Sequence, residues 1–135
     1  KAILHGYGET LPGTIRVYAL EEIVAEKLRS ILQSEARRAA RAWIRPRCRD
    51  YYDLWRVLGT YGDALDREAV RRILPAKCAV RDVTFKTVDD FFPPGLVALV
   101  TDAWEGDLGG VVVELPNSIA VLDSLKDTLG PAVLQ

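Results

Sequence analysis

Lys27 and Asp50 are the residues whose type and position point most directly to chemistry. Each lies within a stretch whose apolar residues recur at helical spacing, where a charge is costly unless it has a partner or a task. At about 100° per residue, Lys27 falls inside the apolar arc of residues 20–32. Asp50 falls inside the arc of residues 50–58, with Asp53 at its edge. Two helices that pack by these faces bring an ammonium group against one or two carboxylates.

The residue pattern leaves three interpretations of this pair open. It can be a structural ion pair that joins two helices, because such pairs also occur in ordinary helix interfaces. Asp50 closely follows Pro46 and can be an N-cap, with Asp53 three residues later completing a weak capping box. The third interpretation is an active site, in which the charges act on a ligand.

Two motifs around these residues resemble those of a known family. Residues 17–30 contain Val-Tyr-Ala-Leu-Glu-Glu-Ile followed by Glu-Lys-Leu-Arg-Ser, and residues 49–55 read Arg-Asp-Tyr-Tyr-Asp-Leu-Trp. In this order they resemble the later motifs of the AbiEii/AbiGii nucleotidyltransferase toxin family. The resemblance extends more loosely over about residues 14–135, where a closing Leu-Pro-Asn precedes an amphipathic helix.

The resemblance implies catalytic roles for Lys27, Asp50 and Asp53. Lys27 would hold the nucleotide phosphates, Asp50 would orient Lys27 or help to position a metal-bound nucleotide, and Asp53 would support them. For the intact protein it implies Mg²⁺-dependent transfer of a nucleotide from a nucleoside triphosphate (NTP) to an acceptor, for which we expect RNA. The resemblance also implies that the intact protein acts in a toxin–antitoxin or phage-defence pair, with an antitoxin protein as its partner.

The metal-binding half of such an enzyme is not found in this sequence. Family members carry an upstream Gly-Gly-Ser/Thr turn and an Asp-x-Asp pair, and metals neutralise the charge that develops in nucleotidyl transfer. No Asp-x-Asp occurs here, the turn at residues 6–10 lacks the acidic pair, and the chain contains no Met. We therefore expect the C-terminal portion of a longer protein, which alone is inactive, binds no cofactor and supplies no metal ligand.

Arginines are concentrated between the two motifs. Residues 1–56 hold 11 Lys and Arg against 7 Asp and Glu, whereas residues 57–135 hold 7 against 12. Seven arginines and Trp43 occur in residues 29–49 with one acid, Glu35. Arginines beside an aromatic side chain suit phosphate contact and base stacking, although a solvated helix face is the alternative. The arginines assigned to nucleotide or nucleic-acid binding are Arg38, Arg41, Arg45 and Arg49.

Other classes of function receive little support. Cys48, Cys78 and the single His5 form no zinc-ligand spacing. No apolar run approaches the roughly 20 residues of a membrane span, and no signal peptide is recognisable. We therefore expect a cytoplasmic protein with no membrane association.

The elements predicted to position these residues are strands followed by helices. Residues 2–4 and 14–18 are predicted to be edge strands of a nucleotidyltransferase-like sheet. Helices are predicted at about 20–42, 49–59, 66–74, 95–105 and 118–129, with Asp66 capping the third and Pro75 ending it. Residues 111–113 fit a short strand or a buried loop. The predicted fold class is α+β in one domain over residues 1–135, with strands within about 1–18 and a helical bundle over about 19–135.

Two rival interpretations of the whole chain remain open. The first is a non-catalytic remnant that binds nucleic acid or a partner protein through its basic helix. The second is a structural dimer in which the N-terminal strands pair between chains.

Overall fold

The computed structural model describes the backbone of residues 13–134 and the side chains of residues 20–130. Five α-helices make up most of this range, joined by turns and by short 3₁₀ segments at Gly62–Ala64 and Val88–Phe91. The helices are α1 (Gly13–Ala39), α2 (Cys48–Tyr61), α3 (Arg67–Val80), α4 (Pro94–Leu108) and α5 (Ser118–Leu134).

The predicted α+β fold is wrong for this range, because residues 13–134 contain no strand. Residues 14–18, predicted to be an edge strand from their β-branched content, form the first turns of α1. Intrinsic propensities differ by only tenths of a kcal/mol per residue, and a helix that has already nucleated gains one hydrogen bond per added residue. Residues 111–113 form a turn. The strand predicted at residues 2–4 lies outside the described residues.

Helix ends follow tertiary packing more closely than the positions of Gly and Pro. α2 runs through Gly59 to Tyr61, and α3 continues through Pro75 to Val80. A proline inside a helix costs about 3 kcal/mol. The exposed ring of Pro75 follows the buried Leu74, so the helix keeps its packing on the core while the proline faces solvent. The prediction that Pro75 ends α3 was therefore wrong.

The core lies where the apolar faces of the helices meet. α1 packs mainly against α3, while α2 packs against α4 and α5. The side chains at the centre are aliphatic, fully buried and spaced three or four residues apart along their helices. They include Val24, Leu28, Ile31, Leu54, Leu74, Leu96, Leu125 and Leu129. None of the helices in residues 13–134 has the length and apolar character needed to cross a bilayer.

Buried polar contacts fix how α1 meets α3. The predicted N-cap Asp66 is confirmed, since its Oδ1 accepts the Ala69 N–H at 3.1 Å. Glu21 of α1 is only 1% exposed, and its Oε2 accepts the backbone N–H of Asp66 at 2.8 Å. The start of α3 is therefore held by its own side chain and by α1 together.

Tyr51 fixes α2 against the segment that precedes α4. Its hydroxyl donates to the Phe91 carbonyl at 2.6 Å, and its ring lies 5.6 Å from that of Phe92. Burial raises the pKa of Tyr51 well above its usual range, so the hydroxyl keeps its proton and remains a donor. Because Tyr51 follows Asp50 directly, this bond also holds the N-terminal turn of α2.

We predict that Tyr51→Phe lowers the free energy of unfolding by about 1–2 kcal/mol, because the buried Phe91 carbonyl loses its donor while the ring is retained. Urea unfolding followed by circular dichroism measures the change. Tyr52→Phe is the matched control, because Tyr52 is also buried but its hydroxyl makes no hydrogen bond within residues 20–130. Equal losses in the two variants would show that the bond to Phe91 does not hold α2.

Candidate functional site

Lys27 of α1 meets two carboxylates of α2. Its Nζ lies 3.4 Å from Asp50 Oδ1 and 3.0 Å from Asp53 Oδ2. The three side chains are 22%, 17% and 22% exposed, so they lie at the edge of the helix interface. The contact predicted from the helical phases of the two segments is confirmed.

Asp50 is not the N-cap of α2. The helix begins at Cys48 with Arg47 as its N-cap, and the Arg47 side chain makes no capping hydrogen bond. Asp50 is the third helical residue, so the capping interpretation was wrong. A carboxylate in the first turn is stabilised by the positive end of the helix dipole.

Two residues that sequence reasoning did not assign to this site complete it. Arg47 places Nη1 3.5 Å from Asp50 Oδ2, and its Nε donates to Ser34 Oγ at 2.5 Å. Ser34 lies on α1 and is only 1% exposed. Their spacing in the sequence could have indicated both residues, because Ser34 follows Lys27 by two helical turns and Arg47 precedes Asp50 by three residues.

The charges of the site balance within the cluster and leave one donor available. Lys27 and Arg47 supply two cations, and Asp50 and Asp53 supply two anions. An ammonium has three N–H donors, of which the two carboxylates face two. Because the Lys27 side chain is 22% exposed, the third donor can reach an anionic ligand from solvent.

The predicted binding arginines fall into two groups. Arg41, Arg45 and Arg49 are exposed, and none forms an ion pair with another of residues 20–130. Arg38 instead donates to both oxygens of Glu35, at 2.7 and 2.9 Å. Its guanidinium also fills the space that a β-carbon on Gly95 would need, so this arginine packs α1 against the start of α4.

The connection between α1 and α2 presents an aromatic ring to solvent. Trp43 is 82% exposed, and Arg41, Ala42 and Arg45 around it are also exposed. Arg41 adopts a left-handed conformation with φ 64°, which ends the helical run at this point. The face of the Trp43 ring is therefore open to a planar partner from solvent.

The cysteines and the remaining acids give no further reactive centre. Burial raises the pKa of the Cys48 thiol to about 12 and also raises that of Cys78, so both stay protonated at neutral pH. Among the described residues, no three His, Cys, Asp or Glu side chains are grouped to hold a metal ion. Asp50 and Asp53 alone do not fit Mg²⁺, because Lys27 engages both and the ion prefers six oxygen ligands.

A groove of about 860 Å³ lies between α4 and α5, and no residue of this cluster lines it. Its lining includes Asp102, Glu105 and Asn117, and the indole of Trp104 donates to the Pro116 carbonyl at 2.9 Å. Unlike the Lys27 cluster, this lining has two carboxylates and, among the described residues, no cation beside them, so the groove is not suited to a triphosphate.

Comparison with known proteins identifies one family. A sequence model described as "Nucleotidyl transferase AbiEii toxin, Type IV TA system" matches residues 3–129. The match begins earlier than the resemblance seen in the motifs, which started at about residue 14. No curated protein and no solved structure matches the chain.

We predict a coupling energy of about 1 kcal/mol between Lys27 and Asp53, measured by a double-mutant cycle of unfolding free energies with Lys27→Met and Asp53→Asn. The control cycle uses Lys77→Met and Glu22→Gln. Lys77 also spans two helices, but its 2.9 Å partner Glu22 is 49% exposed, so solvent should reduce the coupling to less than half. Additive effects at Lys27 and Asp53 would contradict an energetic pair.

Proposed function

Because this chain belongs to the AbiEii nucleotidyl transferase toxin family of type IV toxin–antitoxin systems, we propose that it forms the helical part of a nucleotidyltransferase that binds the NTP and the acceptor. The proposal rests on one observation: the Lys27 ammonium contacts two carboxylates, while its side chain remains 22% exposed to solvent. The type IV system implies a cognate antitoxin.

In this proposal Lys27 holds the triphosphate of the incoming nucleotide. An ammonium is a compact charge with donors in several directions, which suits a phosphate group of varied geometry. The N-terminus of α2 lies beside it, without a side-chain cap and with Arg49 in its first turn. Free N–H groups and the helix dipole add to the attraction for phosphate.

Asp50 and Asp53 hold Lys27 in place rather than react. Each carboxylate restricts the ammonium from the α2 side, so its remaining donor keeps a constant direction before nucleotide arrives. Mg²⁺ would neutralise charge on the phosphates during transfer. Its ligands would be those of an Asp-x-Asp motif, which this sequence lacks.

The acceptor that we propose is RNA, bound by the connection between α1 and α2. Arg41, Arg45 and Arg49 are exposed and unpaired within the described part of the chain, as a phosphate-binding track requires. Trp43 lies among them with its ring open to solvent, as base stacking requires. Because Arg38 is paired with Glu35, it contributes less to RNA binding than the other arginines.

The sequence alone led us to expect that this chain binds no cofactor by itself, but the solvent-facing ammonium of Lys27 leads us to predict that it binds NTPs. ATP, GTP, CTP and UTP, each with magnesium, are titrated while the affinity is measured by NMR shift changes. Lys27→Met should weaken binding about tenfold, because one hydrogen-bonded charge contact to phosphate is lost. Lys77→Met is the control, since Lys77 contacts the carboxylates Glu22 and Glu26 in a similar way away from α2.

If none of the four NTPs binds, or if both lysine variants bind equally, the nucleotide role of Lys27 is wrong. The chain would then be better described as a binding module without catalytic function.

We predict that RNA affinity falls steeply with salt and depends on the exposed arginines. Each neutralised phosphate of a single strand contributes about −0.7 to the slope of log affinity against log salt, so Arg41→Ala with Arg45→Ala should flatten it by about 1.4. The control pair Arg72→Ala and Arg81→Ala removes two exposed arginines of α3 and its C-cap. Fluorescence anisotropy with a labelled single-stranded RNA gives both slopes.

Trp43→Ala should weaken RNA binding at low and at high salt, because stacking is worth about 1–3 kcal/mol per base and depends little on ions. If the control pair flattens the slope as much as the test pair, binding is unspecific and the proposed track is wrong.

A further inference from the structure

We propose that Arg47 is a positioning residue, which orients Asp50 toward Lys27 and is itself held by Ser34. This inference rests on the proposed nucleotide role of Lys27 and adds a residue that acts on Lys27 through Asp50. Arg47 lies between the two residues, with Nε donating to Ser34 Oγ and Nη1 3.5 Å from Asp50 Oδ2.

The carboxylate of Asp50 needs a partner on each oxygen. Its Oδ1 faces Lys27 at 3.4 Å, while its Oδ2 is buried and makes no hydrogen bond within the described residues. Arg47 is the cation that faces Oδ2 in that part of the chain. Without it, a buried carboxylate oxygen would have neither a hydrogen bond nor a counter-charge, which favours rotation of the group toward solvent and away from Lys27.

Ser34 determines where Arg47 can point. Ser34 is the seventh residue after Lys27, which places the two on one face of α1 about 10 Å apart. Ser34 is 1% exposed, so its hydroxyl has no alternative partner in water. α1 therefore contributes Lys27 and Ser34, and the start of α2 contributes Asp50 and Arg47, so the two helices are joined at two points.

The guanidinium group is suited to this task in a way that an ammonium is not. Its donors lie in one plane and point in fixed, different directions, so one group can bond Ser34 with Nε and face Asp50 with Nη1. A lysine at this position keeps the charge, but its ammonium ends a flexible side chain and lacks the fixed, coplanar donor directions of the guanidinium group. Arg47→Lys therefore separates geometry from charge.

The rival explanation is that Arg47 binds the nucleotide phosphates directly, as the exposed Arg49 is proposed to do. A double-mutant cycle on NTP affinity distinguishes the two roles. Arg47→Ala should weaken binding of the NTP–magnesium complex about tenfold in the parent chain, and less than twofold in an Asp50→Asn background. If Arg47→Ala weakens NTP binding by the same factor in both backgrounds, Arg47 contacts the nucleotide directly and the proposal is overturned.

Conservative variants give a second readout. Arg47→Lys should weaken binding nearly as much as Arg47→Ala, although the charge is kept. Ser34→Ala should weaken it about threefold, and Ser34→Thr, which keeps the hydroxyl, should restore affinity relative to Ser34→Ala. Full affinity in Arg47→Lys would show that charge alone matters and would overturn the positioning role. Arg72→Ala, on α3, serves as the control for loss of an arginine.

The NMR signal of the Lys27 ammonium tests positioning even if no nucleotide binds. It is assigned by its loss in Lys27→Met, and Asp50→Asn gives the signal of a Lys27 that has lost this partner. Arg47→Ala and Ser34→Ala should move the signal toward that position in chains whose helical circular dichroism is unchanged. A signal that stays at its parent position in both variants would overturn the proposal, whereas absence of NTP binding in the parent chain would overturn only the proposed function.

Discussion

The placement of one ammonium group between two helices constrains the rest of this structure. Lys27 lies on a mainly apolar face of α1, so it must meet carboxylates where α1 approaches α2. A shift of α2 by one residue would turn Asp50 and Asp53 by about 100° and leave the ammonium without partners. Apolar contacts alone tolerate such shifts more readily, so the ion pairs select one register even if they add little net stability.

The surrounding contacts keep this arrangement rigid. Tyr51 holds the first turn of α2 through the Phe91 carbonyl, and Glu21 holds the start of α3 against α1. Both contacts come from residues close in sequence to the charged cluster. A binding site supported by helices whose positions are fixed in this way pays little for ordering when a ligand arrives.

The acidic and the basic residues near Lys27 lie in neighbouring but different segments of the fold. The acidic partners of Lys27 lie in the first turns of α2, while Arg41, Arg45 and Trp43 occupy the connection that leads into it. Neither of these arginines forms an ion pair with another of residues 20–130. Arg47 belongs to both regions, since it ends the connection and faces Asp50. Under the proposed function, the nucleotide and the acceptor would thus be bound by neighbouring segments, and Arg47 would be the residue through which one segment affects the other.

The sequence by itself determined the family, the helical faces and the meeting of Lys27 with Asp50 and Asp53. These follow from local periodicity, because 3.6 residues per turn fixes which side chains share a face. It did not determine the state of residues 14–18, the course of α3 beyond Pro75, or the roles of Ser34 and Arg38. Helix and strand propensities differ too little to decide the conformation of residues 14–18. In α3, burial of the residues next to Pro75 outweighed the cost of a proline inside the helix. Ser34 acquired its partner Arg47 from tertiary packing, because a serine on a helix has no preferred contact until another segment is placed beside it. Arg38 pairs with Glu35 three residues earlier on α1, a contact that helical spacing can indicate, whereas its packing against Gly95 came from the tertiary structure.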